Sequence, residues 1–288
     1  MTASALPESL LLALNDTGLA SVENASPVGG GSINDAYHLT LSDGHEAFLK
    51  RHPHPPADFF AAEAAGLEAL NRTNTVRVPR VIQSDDQWLL LEWLDSGARA
   101  PDYWETFGEQ LAALHRQTHN AFGFKRDNFC GLTPQPNPWT HDGFEFFAES
   151  RLHHQARLAR NQGLLDAAGA RRLERVCEQL ERWIPEQPPS LIHGDLWGGN
   201  AIPGPQGEPV LVDPAAHYGW AEAELAMTTL FGSFPEAFYR SYESASGVAS
   251  DWRQRTDLYN LYHLLNHLNL FGGGYRSSVE RILQRYAG

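Results

Sequence analysis

The chain has 288 residues, enough for two lobes and a sizeable core, and 42% of them are hydrophobic, which excludes a disordered protein. A formal net charge of −13 at pH 7 disfavours a nucleic-acid partner, because phosphate binding calls for basic surface. No apolar run reaches the roughly 18 residues of a membrane span, and Pro7 and Glu8 interrupt the apolar N-terminus, which has no basic start. Cys130 and Cys177 show neither metal-ligand spacing nor a CxxC pair, so a cytoplasmic protein is expected.

In chain order, residues 7–15 read as a short helix stopped near Gly18, and 22–28 as a first strand. The run Gly29-Gly30-Gly31-Ser32-Ile33-Asn34 is a glycine loop. Residues 36–41 alternate, with Tyr37, Leu39 and Leu41 on one face, and an Asp43-Gly44 turn returns the chain through 47–50. Beyond a Pro/His-rich link at 52–56, Asp58 is expected to cap a helix to about residue 71, with Phe60, Ala64, Leu67 and Leu70 at helical spacing. Strands are expected over 76–82 and 88–93, around the turn Ser84-Asp85-Asp86. After a link at 95–100 the pattern turns helical, over 104–118, 144–159 and 164–183. The stretch 120–139 reads as a long loop of the kind that is often functional. Short strands at 190–193 and 209–213 precede helices over 221–231, 235–244, 251–270 and 277–286.

The densest chemistry lies in Leu191-Ile192-His193-Gly194-Asp195-Leu196-Trp197-Gly198-Gly199-Asn200 and in Leu211-Val212-Asp213-Pro214. An Asp, an Asn five positions on and a later Asp reproduce the grammar of a protein-kinase site. Moving a γ-phosphoryl group needs one carboxylate to orient and deprotonate the attacking hydroxyl, and hard oxygen donors to hold magnesium. Asp195 takes the first role, and Asn200 and Asp213 the second. Gly194 stands where protein kinases carry Arg, so regulation by loop phosphorylation is not expected.

The upstream parts follow in order. Gly30, Gly31 and Ser32 can lay backbone N–H groups against phosphate oxygens, although no Walker A sequence follows. Lys50 ends the next strand, where the kinase template places a phosphate-binding lysine. Of the 22 basic residues only Lys50 and Lys125 are lysines, which suggests that a compact ammonium is needed at Lys50. Glu63 lies on the apolar side of the following helix and is its expected partner, with Glu68 as the solvent-facing alternative. Glu92 and Leu94 are expected to read adenine through their backbones. His115 reads as a packed core histidine, and Glu224 as an anchor for the catalytic loop. The expected fold is α+β and bilobal, protein-kinase-like. An N-terminal lobe (1–94) holds a small antiparallel sheet and one helix, and a larger, mainly helical lobe (95–288) follows. ATP and Mg2+ are the expected cofactors.

The runs Leu191 to Asn200 and Asp213 to Met227 resemble the fructosamine kinase family, as do Gly30-Gly31-Ser32-Ile33-Asn34, Thr133-Pro134-Gln135-Pro136-Asn137 and Phe271-Gly272-Gly273. Aminoglycoside phosphotransferases and choline kinases share the His-Gly-Asp and Asn but not the Trp-Gly-Gly. The resemblance implies an aminoglycoside-phosphotransferase-like kinase fold. The implied activity is ATP-dependent phosphorylation of the sugar 3-hydroxyl of a ketoamine or glycated lysine, with the sugar (ribulose, erythrulose or fructose) left open. A kinase for an aminoglycoside or choline is the alternative. Trp197, His217 and Trp220 are the implied substrate wall. Where vertebrate members carry a Cys in the phosphate loop, this chain has Ser32.

Overall fold

The computed structural model describes residues 6–15, 18–29 and 33–287. The chain begins with α1 (Glu8–Asn15), β1 (Val22–Pro27), β2 (Asp35–Leu41), β3 (Glu46–Arg51), α2 (Phe59–Thr73), β4 (Val81–Ser84) and β5 (Trp88–Glu92). These strands form one five-stranded antiparallel sheet in the order β1-β2-β3-β5-β4. The period-two rule decides what each face carries. Leu39, Ala47, Leu49, Trp88 and Leu90 face Leu6, Leu10 and Leu14 in and before α1. The intervening residues turn the other way. Leu89 and Leu91 join Phe60, Leu67 and Leu70 of α2. Lys50, paired with Leu89 across the ladder, is carried to that same side.

Residues 93–100 carry neither helix nor strand. There follow α3 (Tyr103–His115), β6 (Asn128–Cys130), β7 (Thr133–Gln135), α4 (Gly143–Phe147), α5 (His154–Asn161), α6 (Ala167–Cys177) and α7 (Leu180–Trp183). Then come β8 (Ser190–Ile192), β9 (Ala201–Pro203), β10 (Pro209–Leu211), β11 (His217–Gly219), α8 (Ala221–Met227), α9 (Glu236–Ser246), α10 (Thr256–Phe271) and α11 (Arg276–Tyr286). The fold is bilobal α+β, but its core is continuous. The cluster under α2 runs on into Phe107 and Leu111 of α3, Leu211 of β10 and Phe238 of α9. Backbone bonds also tie the two parts, from Leu211 N to Arg77 O at 2.9 Å and from Gly97 N to Gly204 O at 3.1 Å. Among the described residues no helix is long and apolar enough to cross a membrane.

Several expected elements differ from those observed. The strand expected over 76–82 begins only at Val81, because Pro79 lacks an N–H and Arg77 bridges instead to Val210 of the other lobe. Asp58 adopts a left-handed backbone (φ 62°), and its side chain makes no cap bond to α2. The long loop expected over 120–139 contains the β6–β7 hairpin. The helix expected over 144–159 is continuous but passes through a π-helical segment, Ala148–His153. The helix expected over 164–183 starts at Ala167, where the Asp166 side chain accepts from Gly169 N at 2.7 Å, and it breaks before α7.

Helices α3 and α9 cross so closely that a Cβ on Gly108 would lie 2.5 Å from Phe238 O and 2.8 Å from Tyr242 N, both backbone atoms that cannot swing aside. Gly108→Ala should therefore destabilise the protein by about 1–3 kcal/mol or more despite the better helix propensity of Ala. Urea unfolding checks this; unchanged or raised stability would mean that the crossing is looser than described.

Candidate active site

Lys50 is 6% exposed. Its ammonium bonds to Glu63 Oε1 at 2.5 Å and to the carboxylate of Asp213. Burial would strip the charge, but the Asp213 and Glu63 carboxylates outweigh it and hold the lysine above its ordinary range. One cation thus joins β3, α2 and the segment after β10. Gly66 lets α2 approach that segment, since a Cβ there would lie 3.3 Å from Ala216 Cβ. Asp213 has a left-handed backbone (φ 58°), unusual for a residue with a side chain and a frequent mark of functional sites.

The 193–200 loop is built from buried polar contacts. His193 Nε2 donates to Val212 O at 2.8 Å, and its Nδ1 accepts from Asp195 N at 3.3 Å. Burial lowers its pKa, so the ring is neutral, and the two bonds select the Nε2–H tautomer. Gly194 has φ 86°, and a Cβ there would strike Ala215 O, so this position cannot carry the Arg of protein kinases. Glu224 accepts from His193 N at 3.0 Å and Gly194 N at 2.7 Å, and lies 2.9 Å from His115 Nε2. His115 Nδ1 in turn meets Tyr242 Oη at 2.7 Å. Burial alone would raise the Glu224 carboxyl, but the His115 bond and the neighbouring histidines hold it below its ordinary value.

Asp195 sits within this frame. Burial, reinforced by the Asp213 and Glu224 carboxylates, pushes its pKa up to about 7. Asn200 Nδ2 donates to Asp195 O at 2.9 Å, which commits the amide nitrogen and leaves its oxygen without a hydrogen-bond partner among the described residues. Asp195, Asn200, Asp213, Lys50 and Glu63 all line one cleft of about 810 Å³, within the range of small-ligand sites. Val28, Phe48 and Leu91 form an apolar part of its wall, beside Glu92 and Leu94. The N–H of Glu92 is already bonded to Arg80 O at 2.9 Å, and its carboxylate pairs with Arg77 at 3.3 Å and Arg80 at 3.4 Å. Gly30, Gly31 and Ser32 lie outside the described residues.

The three aromatics expected as a substrate wall separate. Trp197 is 41% exposed and lines the cleft. Trp220 and His217 do not line it, and this expectation is corrected. Trp220 is 4% exposed, with its ring 5.3 Å from Phe144, 5.4 Å from Phe147 and 6.0 Å from Phe122. His217 is buried with Nδ1 donating to Ala215 O at 2.9 Å. Both line a separate small cavity of about 30 Å³. His217 opens β11, which pairs with β8, and Trp220 follows that strand as the N-cap of α8, so both are carried into the helical core. The open face beside Trp197 is taken by Phe231, His267, Phe271 and Tyr275.

Other residues around the site carried no legible role in the sequence. The Thr133–Asn137 motif proves to be a buried amide network. Gln135 Nε2 donates to Asn128 Oδ1 at 2.7 Å and to Ala215 O at 3.2 Å, and Asn128 Nδ2 donates to Ala216 O at 2.9 Å. Arg151, 2% exposed, donates to Pro136 O and Asn137 Oδ1, each at 2.7 Å, and stacks 4.5 Å from Phe146. Only the clustering of amide residues at 128–137 hinted at the network. Nothing local marks Arg151, since its partners come from another segment.

The profile of the fructosamine kinase family matches residues 9–287. A Synechocystis protein named probable ketoamine kinase is 45% identical over 270 residues, covering 92% of this chain and 90% of that protein. The chloroplastic protein-ribulosamine 3-kinase of Arabidopsis thaliana is 39% identical, covering 90% of this chain and 81% of its own. The crystal structure of a Thermobifida fusca protein assigned as a fructosamine-3-kinase superposes with a TM-score of 0.86 at 36% identity, covering 96% of this chain and 98% of that one. The aminoglycoside phosphotransferase APH(4)-Ia shares the fold at a TM-score of 0.63 and 14% identity, covering 98% and 100% of the two chains.

Glu224→Ala should cost about 3 kcal/mol or more, because it strands two buried N–H groups and the His115–Tyr242 pair without their acceptor. Turnover of the folded fraction should fall as well, since the loop loses its anchor. Chemical denaturation and single-turnover assays below the transition check both; a variant of wild-type stability would remove Glu224 from this role.

Proposed function

Since the chain belongs to the fructosamine kinase family, we propose that it is an ATP-dependent kinase that phosphorylates the sugar 3-hydroxyl of a ketoamine, with Asp195 as the general base. The observation that carries this reading is the Asp195 carboxylate. It stands on the cleft wall, on a backbone held by the His193 and Asn200 bonds, and burial with its carboxylate neighbours lifts its pKa to about 7, near the pH at which a base works best. Its backbone is fixed from both sides, and the Asn200 amide lies 3.5 Å from Asp195 Oδ2, so the carboxylate starts from a restrained position in the cleft.

The residues present fit a nucleotide with magnesium. The Lys50 ammonium, kept charged by Glu63 and Asp213, suits phosphate oxygens, and the apolar Val28, Phe48 and Leu91 suit a flat base. The Asp213 carboxylate and the Asn200 amide oxygen are hard donors of the kind magnesium takes. ATP supplies the transferable phosphoryl group. Gly30, Gly31 and Ser32 belong to the same reading, since backbone N–H groups of a glycine loop suit phosphate, and Glu92 and Leu94 border the base.

On the acceptor side, Trp197 offers an exposed indole at the cleft, 6.5 Å from Phe231, which in turn lies 4.5 Å from His267. An aromatic face suits the apolar side of a sugar and attracts a protonated amine, worth about 0.5–2 kcal/mol. The Trp197 ring folds over Gly199, where a Cβ would strike it, which accounts for the second glycine of the Trp-Gly-Gly run. Phosphorylation at the 3-position makes the ketoamine adduct unstable, so the enzyme releases the free amine. The ribulosamine named for the Arabidopsis relative is the first sugar to test. A cytoplasmic setting suits the two unpaired cysteines.

At least one of ribulosyl-, erythrulosyl- and fructosyl-lysine should gain phosphate and then release lysine when incubated with ATP and magnesium, as followed by mass spectrometry. Phosphorylation of an aminoglycoside or choline but of no ketoamine would overturn the substrate reading. Asp195→Asn should lower kcat about 10²–10⁴-fold while nucleotide affinity stays near wild type. Wild-type kcat/KM should also fall as pH drops through the Asp195 titration, because the base is active only without its proton. That acidic limb should be missing from the residual activity of Asp195→Asn.

A further inference from the structure

We propose that Cys130, Asp195 and His263 form an inhibitory zinc site on the wall of the cleft. Three separate elements supply the donors: β6, the 193–200 loop and α10. The Cys130 sulfur, a carboxylate oxygen of Asp195 and a ring nitrogen of His263 all lie within 4.8 Å of one another. Ligands at zinc's usual distances around a tetrahedron are about 3.3–3.8 Å apart, so the three need to close by only about an ångström.

The donors are held ready. Asn266 Nδ2 donates to Cys130 O and lies 3.2 Å from Cys130 Sγ, which fixes the thiol against α10. Tyr262, next to His263, donates to Gln135 Oε1 at 2.5 Å and pins that turn of α10 to the β6–β7 hairpin. His263 is 7% exposed, and its Nδ1 has no hydrogen-bond partner among the described residues. Burial, with His267 and Arg151 adding to it, lowers its pKa to about 3, so the imidazole is neutral and keeps a lone pair for a metal. Cys130 and Asp195 line the cleft, which gives the ion a route in, and His263 lies behind them on the small cavity that Trp220 and His217 also line.

The ligand chemistry selects the ion. A sulfur, nitrogen and oxygen set with three protein donors and one open position suits zinc, whereas magnesium prefers oxygen ligands and keeps its waters. Binding is not a redox step: burial and the Asp195 carboxylate keep the Cys130 thiol protonated in the free protein, so the incoming ion displaces that proton to solvent and the thiolate donates an electron pair to it. The inhibitory effect rests on the reading of Asp195 as the base, because an oxygen committed to zinc can no longer take the hydroxyl proton. Zinc that merely displaced magnesium from Asn200 and Asp213 would also inhibit, but it would not need Cys130 or His263.

Two measurements test the site. Cobalt(II) added to the nucleotide-free protein should produce a thiolate-to-cobalt charge-transfer band, and zinc should abolish it. Cys130→Ser should lose the band, and Cys130→Ser and His263→Ala should each raise the zinc dissociation constant, measured against a chromophoric chelator, about 10–100-fold. Turnover with excess magnesium should be inhibited by zinc in the wild type and restored by chelator, with half-inhibition shifted upward to a similar extent in both variants. Circular dichroism and ATP binding establish that each variant is folded, and either variant alone suffices. No cobalt band in the wild type, or equal zinc sensitivity in wild type and the folded variants, would overturn the proposal. The spectrum and the affinities need no substrate, so they stand or fall separately from the ketoamine reading.

Discussion

A single buried ammonium sets the geometry of the cleft. Lys50 lies on the interior side of the sheet because its neighbours Ala47 and Leu49 are claimed by the opposite face, against α1. Once buried, it stays charged only beside carboxylates, and it holds two, from α2 and from the segment after β10. Those contacts fix the spacing between the sheet and the helical lobe at the point where a nucleotide must enter. Gly66 allows the approach, and the left-handed backbone of Asp213 turns the second carboxylate toward the lysine.

The other side of the cleft depends on a polar hub inside an apolar lobe. Glu224 serves two backbone N–H groups of the loop that bears Asp195, and His115 and Tyr242 extend that hub into α3 and α9. A neutral His193 joins the same loop to Val212, next to Asp213. Asp195 and the segment that bears Asp213 are therefore held by one connected set of bonds, and such rigidity is what the proposed phosphoryl transfer would require. Burial, with the Asp213 and Glu224 carboxylates adding to it, lifts Asp195 to a pKa of about 7.

Cys130 and His263 adjoin this framework without belonging to it. Their donor atoms converge on Asp195 because the β6–β7 hairpin and α10 are locked together through Tyr262, Gln135 and Asn266. The stretch read from sequence as a long loop thus brings a thiol to within 4.8 Å of the Asp195 carboxylate.

The sequence by itself determined the local pieces of this protein. Alternation placed β2, the Asp43-Gly44 turn led back into β3, helical spacing placed α2 and α3, and the ordered set Lys50, Glu63, Asp195, Asn200 and Asp213 marked the chemistry. Those signals are local, since a period or a motif depends on neighbours in the chain. The tertiary structure alone decided which side chains meet. Trp197 and Trp220 are both Trp residues close to the motif, yet one lines the cleft and the other fills the core. Trp220 follows β11, which pairs with β8, and packs on Phe122, Phe144 and Phe147, contacts that lie in no short window of sequence. Likewise Arg151, His263 and Cys130 are ordinary residues in the sequence. Their environments come from partners more than a hundred positions away or across another element, where burial and electrostatics act on distance in space and not along the chain.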